Sequence, residues 1–360
     1  MQVVGYEMVG VGEPVQRAER DVLELAAGDV LVEVAGCGIC HTDIGFLHDG
    51  VRTRRQLPLV LGHEISGRVV RAGPEFAALV GEAVVVPAVI PCGACEDCAA
   101  GRSMICSSQI MPGNDVHGGF ASHVVVPGRG LCVVPGAPAD PDAPLPGGSG
   151  ATLRHLAVIA DAVSTPYQAL VRSGLQAGEL AIIVGLGGVG GYAAQLARAM
   201  GAHVVGLDID PVRRQAAQDV GVAHVFDPAA TDARALRKQL LGLAKDLGAP
   251  ATRWTIVECS GSTAGQELAF GLLVHGATLM VVGFTMKRVE LRLSNLMAFD
   301  ARAVGTWGCA PELYPDIVRL VMSGAVDVCT PTELRPLAEV QAALDDVHHH
   351  RTTRRIVLVP

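Results

Sequence analysis

The chain has 360 residues, which is long enough for two domains that each have their own core. Half of the residues are hydrophobic and 18% are charged, a composition that excludes a disordered protein. The formal net charge of −8 excludes nucleic acid as the main partner, because phosphate binding needs a basic surface. Residues 1–13 lack the basic and then apolar pattern of a secretory signal, so we expect a soluble, cytoplasmic protein with no membrane partner.

The N-terminal part, to about residue 160, is predicted to be rich in β-strands. Glycine and proline turns separate its short apolar runs. These runs lie at residues 30–35, 67–72, 83–89 and 122–126. Residues 136–150, GAPADPDAPLPGGSG, are predicted to form an exposed loop.

From about residue 165 to residue 304 the pattern changes to alternating strands and helices. The predicted strands lie at residues 180–184, 203–207, 254–259 and 277–282, and the predicted helices include 189–200 and 211–220. Such alternation predicts a parallel sheet with helices on both faces. After residue 304 we expect the chain to return to the first domain.

A glycine-rich turn follows the predicted strand at 180–184 and opens the next helix. Its glycines permit a sharp bend, a close approach of a pyrophosphate and tight packing of the helix on the strand, while the helix N-terminus offers free N–H groups. The predicted dinucleotide contacts are Gly185, Gly187, Gly188, Val189 and Gly190. The alternative is an ordinary glycine turn with a surface aspartate beyond it.

Asp208 ends the following predicted strand, 18 residues after Gly190. A carboxylate there accepts hydrogen bonds from ribose hydroxyls and repels a 2′-phosphate, which favours NAD over NADP. Arg213 lies just beyond and is close enough in sequence to reach the same ribose, although a solvated helix arginine is an equally good interpretation.

Four cysteines share a short segment with the spacing C-x2-C-x2-C-x7-C: Cys92, Cys95, Cys98 and Cys106. Four thiolates this close together can complete a tetrahedral zinc shell with no open position, which is typical of a structural site. An iron–sulfur cluster or free thiols are the alternatives, but the spacing is not that of the common ferredoxins.

Two further motifs carry metal-binding side chains. Gly38-Ile-Cys-His-Thr-Asp43 supplies a thiol, and Gly62-His63-Glu64 supplies an imidazole and a carboxylate. A lone cysteine or histidine is more often a core residue than a ligand. Together with the dinucleotide turn and the four cysteines, these residues indicate a catalytic metal centre.

On these four motifs the sequence resembles the zinc-containing medium-chain alcohol dehydrogenases over essentially its whole length. The resemblance implies an α/β protein in which a β-rich GroES-like catalytic domain (1–162, with a structural zinc lobe at 91–107) precedes a Rossmann domain (163–304). The Rossmann domain would hold a doubly wound parallel sheet and NAD, and residues 305–360 would return to the catalytic domain. Two zinc ions per chain, a small-molecule substrate and a homo-oligomer, dimer or tetramer, are implied as well.

The resemblance also implies roles for the metal-site residues. The zinc ligands would be Cys40, rather than Cys37, together with His63 and Asp161. Asp161 stands where many relatives have a cysteine, and its alternative roles are a helix N-cap or a surface acid. Glu64 would approach the metal from behind, and Asp43 would orient His63.

The implied reaction is oxidation of an alcohol by hydride transfer to nicotinamide, with zinc as the Lewis acid. By resemblance, Thr42 would accept the alcohol proton, Thr165 would pack against the nicotinamide, and His41 and Arg354 would face the coenzyme phosphates. Many relatives end the proton relay with a histidine at the position of Gly45 in this chain. His48 is the substitute that we consider, with a water relay or a merely solvated His48 as alternatives.

Three stretches, at residues 111–124, 252–254 and 294–299, are similar to the family members that oxidise 6-hydroxycyclohex-1-ene-1-carbonyl-CoA in anaerobic benzoyl-CoA degradation. This similarity implies a cyclic allylic alcohol carried as a CoA thioester. Arg52, Arg54 and Arg55 form the densest basic cluster for the CoA phosphates, unless they belong to an ordinary solvated loop. The alternatives are a small free alcohol or polyol as substrate, or a non-catalytic NAD-binding protein.

Overall fold

A computed structural model describes residues 1–22 and 24–360. These residues divide into two compact units. The first unit combines Met1–Ser164 with Gly308–Pro360, and the second unit is Thr165–Trp307. Each unit contains its own cluster of buried apolar side chains. No helix in the described part of the chain is long and apolar enough to span a membrane.

The strands, in chain order, are β1 (Gln2–Met8), β2 (Gln16–Asp21), β3 (Asp29–Gly38), β4 (Leu59–Val60), β5 (Glu64–Ala72), β6 (Ala83–Val86), β7 (His123–Pro127), β8 (Cys132–Val133), β9 (Leu180–Val184), β10 (His203–Leu207), β11 (His224–Phe226), β12 (Thr255–Glu258), β13 (Thr278–Val281), β14 (Arg302–Gly305), β15 (Thr332–Pro336) and β16 (Arg355–Val359). The α-helices are α1 (His41–Leu47), α2 (Glu96–Ala99), α3 (Ser164–Ser173), α4 (Gly190–Ala199), α5 (Pro211–Asp219), α6 (Ala233–Asp246), α7 (Thr263–Gly271), α8 (Ser294–Phe299), α9 (Tyr314–Met322) and α10 (Val340–His348).

The first unit is built mainly from antiparallel strands. Its larger sheet has the order β15-β16-β3-β5-β6-β8, with β7 paired on β3, and its smaller sheet has the order β2-β1-β4. β3 is at the centre because it pairs with β5, β7 and β16. Val30, Val32 and Val34 on one face of β3 lie in the apolar core, as β-branched residues commonly do in a buried strand.

The register of β3 and β5 brings two sequence motifs to one end of the sheet. Gly38, the last residue of β3, is paired with Glu64, the first residue of β5. Cys40 follows β3 by two residues and His63 immediately precedes β5. Cys40 and His63 are distant in sequence, but the pairing of β3 with β5 therefore brings their backbones close together.

The second unit contains a six-stranded sheet in the order β11-β10-β9-β12-β13-β14, in which every pair is parallel. The five residues of β9 are all buried, which accounts for its continuous apolar sequence. The strand order reverses between β9 and β12. In such a sheet the ligand crevice lies at the carboxyl ends of the strands on either side of this reversal.

Several predicted boundaries are confirmed, and one strand end and one predicted exposure need correction. β9 and β10 have the predicted bounds, and α5 begins at Pro211 after Asp210, whose side chain accepts a hydrogen bond from the amide of Val212. The strand predicted at residues 83–89 ends earlier, at Val86. Residues 136–150 contain no helix or strand, as expected, but Leu145 within them is buried rather than exposed.

Candidate active site

Four potential ligand residues from three separate segments meet in the first unit. Single ligand atoms of Cys40, His63, Glu64 and Asp161 all lie within 4.8 Å of one another. The Oδ2 atom of Asp161 is 3.6 Å from the Sγ atom of Cys40 and 3.6 Å from the Nε2 atom of His63. The three side chains therefore point toward a common centre.

Asp43 links the two motifs that carry Cys40 and His63. Its Oδ2 accepts a hydrogen bond from the backbone amide of Cys40 at 2.9 Å, and its Oδ1 accepts one from the amide of Gly62 at 3.1 Å. The same Oδ1 is 3.5 Å from the Nδ1 atom of His63. Asp43 is fully buried, so it fixes the ring that presents Nε2 to the centre.

A glycine is required immediately before His63. Gly62 has a φ of 93°, in the left-handed region, and a Cβ atom there would lie 2.6 Å from the ring of Phe120 and 2.7 Å from Sγ of Cys37. The same contact distinguishes the two cysteines, Cys37 and Cys40, as candidates for the metal centre. Cys37 lies in β3 and packs behind Gly62, while Cys40 lies beside Asp161.

Asp161 is positioned by a separate segment of the first unit. It follows the 3₁₀ turn His155–Ala160, whose last carbonyl accepts a 2.6 Å hydrogen bond from the buried hydroxyl of Tyr314. Asp161 caps the C-terminal end of that turn, so neither proposed alternative, an N-cap or a plain surface acid, describes its position.

The spacing of the donors fits a zinc ion. Zinc bonds of about 2.0–2.3 Å in a tetrahedral shell place neighbouring donor atoms about 3.3–3.8 Å apart, and the two distances from Asp161 lie in this range. The donors also surround His63 with negative charge. Burial lowers the pKa of His63, but Asp43 and the contacts with Asp161 and Cys40 outweigh burial and hold this pKa well above its usual value. The negative charge that stabilises a proton on His63 would also stabilise a divalent cation bound at this centre.

Glu64 differs from the other three donors because it has a cationic partner. Nε of Arg355 donates to Oε2 of Glu64 at 2.8 Å, and its Nη2 donates to Oε1. Burial raises the pKa of Glu64, while Arg355 acts in the opposite direction. Arg355 was not singled out in the sequence. Its neighbour Arg354, which the resemblance places at the coenzyme phosphates, is exposed, and that role stays a prediction.

The second cluster contains the four cysteines of the predicted lobe. The Sγ atoms of Cys95 and Cys98 are 3.5 Å apart, those of Cys95 and Cys106 are 3.7 Å apart, and those of Cys92 and Cys98 are 4.0 Å apart. These distances match the edges of a tetrahedral tetrathiolate zinc site, which are about 3.8 Å. The backbone N–H groups of Ala94 and Cys95 donate to Sγ of Cys92 and lower its pKa to about 6.

Thr42 and His41 lie in the first turn of α1, next to Cys40. The Oγ1 atom of Thr42 is 3.7 Å from Sγ of Cys40, so this hydroxyl borders the metal centre. His41 is exposed, and its ring is stacked on that of His350 with 6.0 Å between the centroids.

His48 follows α1 and packs against α10. Its ring is stacked on His348 at 4.2 Å, and its Nε2 atom is buried without a hydrogen-bond partner in the described residues. Burial, followed by the charge of His348, lowers the pKa of His48. His48 is therefore a partly enclosed, neutral imidazole and not a solvated loop side chain.

The predicted dinucleotide turn lies between β9 and α4 in the second unit. Gly185 has a φ of 85°, and a Cβ atom on Gly190 would lie 1.7 Å from the carbonyl oxygen of Gly185, so no larger residue fits there. Gly187, Gly188 and Val189 complete the turn, and Gly190 begins α4. Thr165 lies in the first turn of α3 in the same unit.

Asp208 holds this turn in place. Its Oδ2 accepts a hydrogen bond from the amide of Leu186 at 2.7 Å, and its Oδ1 accepts one from the amide of Asp210 at 2.8 Å. The guanidinium of Arg213 is 4.0 Å from Oδ2 of Asp208 and borders the open side of Gly187. Both side chains are thus at the carboxyl end of the sheet, beside the reversal of strand order.

Comparison with known proteins identifies the family. The alcohol dehydrogenase GroES-like domain matches residues 26–136, and the zinc-binding dehydrogenase domain matches residues 188–323. The 2-dehydro-3-deoxy-L-galactonate 5-dehydrogenase of Pseudoalteromonas atlantica is 35% identical over 320 residues, which cover 88% of this chain and 87% of that protein. An alcohol dehydrogenase of Geobacillus stearothermophilus is 30% identical over 341 residues, covering 93% and 89%.

Solved structures agree with this assignment. The alcohol dehydrogenase of Aeropyrum pernix superimposes with a TM-score of 0.85 at 25% identity, covering 99% of this chain and all of that chain. A zinc-binding dehydrogenase of Sinorhizobium meliloti, bound to NADP, superimposes with a TM-score of 0.84 at 25% identity over the full length of both chains. The chain belongs to the zinc-dependent medium-chain alcohol dehydrogenase family, with a GroES-like domain and a Rossmann-type domain.

Proposed function

We propose that the protein is a zinc-dependent, NAD-linked alcohol dehydrogenase. The convergence of Cys40, His63 and Asp161 on one centre carries this proposal, because three ligands leave a fourth position for a substrate oxygen. Zinc bound there would supply a Lewis acid that lowers the pKa of the alcohol, and NAD would accept the hydride. The four cysteines, with no open position, would hold a second, structural zinc.

The chain's own residues supply charge balance and proton transfer. One thiolate and one carboxylate together neutralise a divalent cation, and His63 adds no charge when it is a ligand. The hydroxyl of Thr42 borders the centre and would accept the hydrogen bond of the alcohol. From Thr42 the proton would leave through His48 or through water. The test is the pH–rate profile of His48→Ala: an unchanged profile assigns the relay to water.

The coenzyme assignment depends on Asp208. Its carboxylate lies at the end of β10, next to the glycine turn, and would disfavour the 2′-phosphate of NADP. Arg213 favours NADP instead, because its guanidinium also borders the turn and could pair with a 2′-phosphate. One solved relative was determined with NADP bound. Comparing kcat/KM for NAD and NADP decides between them, and a preference for NADP would overturn the assignment.

For the substrate we propose the cyclic allylic alcohol carried as a CoA thioester. Support comes from the stretches at residues 111–124, 252–254 and 294–299. The second stretch ends in Trp254, a fully buried core residue, so part of this similarity concerns packing. The basic residues proposed for CoA do not form one surface: Arg54 contacts Asp115, whereas Arg55 lines a cavity beside Arg20.

A small free alcohol or polyol is the second candidate. Its support is that the relatives include the L-galactonate-5-dehydrogenase of Escherichia coli, which is 28% identical over 86% of this chain. The experiment is NAD reduction with the CoA thioester and with free cyclohexenols and sugar acids on the same zinc-loaded enzyme. Turnover of the thioester alone supports the first candidate, and turnover of free alcohols alone supports the second. If neither is oxidised and only the four-cysteine site holds zinc, the protein is a non-catalytic NAD-binding protein.

We also propose that the protein is a homo-oligomer. β14 is an edge strand of the parallel sheet, and large apolar side chains in the segment from residue 284 to residue 307, which includes β14, are exposed: Phe284, Met286, Leu293, Met297 and Trp307. Light scattering combined with size-exclusion chromatography measures the mass directly, and a monomer would contradict the proposal.

A further inference from the structure

The first unit contains a cavity of about 270 Å³ that includes none of the metal-site donors. It lies between one face of the β2-β1-β4 sheet and the residues that lead into and form β7. Much of its lining is apolar and includes Val3, Val60, Val116 and Val124. Four nitrogen-bearing side chains, Arg20, Arg55, His117 and His123, also line it, together with the acidic residues Glu7 and Asp29.

His117 offers a hydrogen-bond donor to this cavity. Its Nδ1 atom accepts a hydrogen bond from the amide of Val60 at 3.2 Å, so the proton of the neutral ring is on Nε2. Burial, followed by the charges of Arg20 and Arg55, lowers the pKa of His117 to about 4. At neutral pH the ring is therefore uncharged and presents an N–H group.

His123 offers a second donor. The amide of Val4 donates to Oγ of Ser122 at 3.1 Å, and this hydroxyl is 3.1 Å from Nδ1 of His123. When the Ser122 hydroxyl donates to Nδ1, the ring proton is on Nε2. That Nε2 atom is buried and has no hydrogen-bond partner among residues 1–22 and 24–360. A buried polar atom without a partner is costly, and this atom has almost no accessible surface, so a ligand gains this hydrogen bond only if the ring turns toward the cavity.

The two arginines are not equivalent. Arg20 forms an ion pair with the buried Glu7. Arg55 forms no ion pair within 4.0 Å in the described part of the chain, and burial, followed by the charge of Arg55, lowers the pKa of Arg20. Arg55 is exposed, so its guanidinium borders the cavity where solvent reaches it, and the remaining acidic side chain of the lining is Asp29.

We propose that this cavity is a binding site for a small monocarboxylic acid with an apolar body, separate from the metal centre. The carboxylate would accept N–H groups from Arg55 and His123, and the hydrocarbon part would pack against Val3, Val60 and Val124. A single negative charge on the ligand would pair with the guanidinium of Arg55 and limit repulsion by Glu7 and Asp29. An inorganic phosphate lacks the apolar part that most of the lining would contact.

Benzoate is the test ligand, with benzamide as its uncharged counterpart and inorganic phosphate as an anion without a ring. Binding to the zinc-loaded, full-length protein is measured by titration calorimetry and by the shift in Tm. The variants are Arg55→Gln and His123→Gln, and the control is Arg52→Gln, which replaces an arginine that is exposed as Arg55 is but is not in the cavity lining.

We expect benzoate to bind the wild-type protein and the Arg52→Gln control equally, and the Kd to rise about tenfold in Arg55→Gln, the loss typical of one charged hydrogen bond. Benzamide and phosphate should bind at least tenfold more weakly than benzoate. Equal binding of benzoate to the wild type and Arg55→Gln would overturn the proposal, because it would indicate the metal centre or a nonspecific site. Equal binding of benzamide, binding of phosphate alone, or no binding of benzoate would overturn it as well. If His123→Gln fails to fold, Arg55→Gln still decides the outcome.

Discussion

The carboxylate of Glu64 and the guanidinium of Arg355 form a two-point ion pair in the interior of the first unit. The side chain of Glu64 is fully buried and that of Arg355 is 7% exposed. The pair connects the start of β5 to the start of β16, which are 291 residues apart in sequence. Glu64 lies in the donor cluster with Cys40 and Asp161, so Arg355 places a positive charge beside these anionic donors.

Arg355→Gln should destabilise the protein strongly. The substitution leaves the buried carboxylate of Glu64 without its partner, and breaking a buried pair in this way costs about 3–5 kcal/mol. The free energy of unfolding from urea titrations measures this loss. The neighbouring Arg354→Gln is the matched control: this side chain is exposed, so its effect should stay within about 0.5 kcal/mol. Similar losses in both variants would show that the ion pair has no special importance.

Asp161→Asn should lower the zinc content of the protein from two ions per chain to one. An amide oxygen carries no charge, so the catalytic site loses the anion that faces Cys40 and His63. Activity should fall at least a hundredfold while the fold, followed by circular dichroism, persists. Elemental analysis of the dialysed protein gives the zinc count, and two retained zinc ions with full activity would remove Asp161 from the ligand set.

Cys95→Ser should remove the other zinc ion and leave the catalytic centre in place. The lobe around Cys92 and Cys106 contains only the short helix α2 and a 3₁₀ turn, so the tetrathiolate zinc would replace a hydrophobic core there. We expect faster proteolytic cleavage within residues 91–107, detected by mass spectrometry. Cys132→Ser, a buried cysteine outside the lobe, is the control. Cleavage at the wild-type rate in Cys95→Ser would mean that zinc does not order the lobe.

Site residues that belong to short motifs could be predicted from the sequence, whereas those brought together by tertiary contacts could not. Spacing alone predicted the four-cysteine site, since ligands within one segment need no knowledge of the fold. The strand, turn and helix around Gly185 were predictable for the same reason. Asp161 was found only through the family resemblance, because nothing in its local sequence distinguishes it from other acids. Arg355 was not singled out in the sequence, since only the pairing of β16 with β15 and β3 places this arginine beside Glu64.

Asp208→Ala should weaken NAD binding more than Asp210→Ala does. Asp208 holds the amide of Leu186 in the glycine turn, whereas Asp210 caps α5 by accepting the amide of Val212 and lies 3.6 Å from the guanidinium of Arg213. Loss of the cap should cost about 1 kcal/mol of stability without a change in coenzyme choice. In Asp208→Ala, by contrast, KM for NAD should rise at least tenfold and the discrimination against NADP should shrink. Steady-state kinetics with both coenzymes measures this, and equal effects of the two variants would contradict the assignment.

His117 should make the protein less stable in mild acid. The pKa of His117 is about 4 in the folded chain and 6.5 as the ordinary value, so the unfolded chain takes up a proton first as the pH falls. This histidine therefore stabilises the fold fully above pH 6.5. Its contribution is lost progressively as the pH falls from 6.5 and levels off below about 4, with a total on the order of 1–2 kcal/mol because the ring is partly exposed.

The variant His117→Asn tests this directly, because asparagine can accept the amide of Val60 without titrating. The difference in unfolding free energy between the wild type and this variant should change in favour of the variant as the pH falls from 7 to 4. His275→Asn, in which an exposed histidine of the second unit is replaced, is the matched control and should follow the wild type. A pH-independent difference for His117→Asn would mean that the ring is already solvated and protonates freely, and the cavity beside it would then be open to water instead of enclosed.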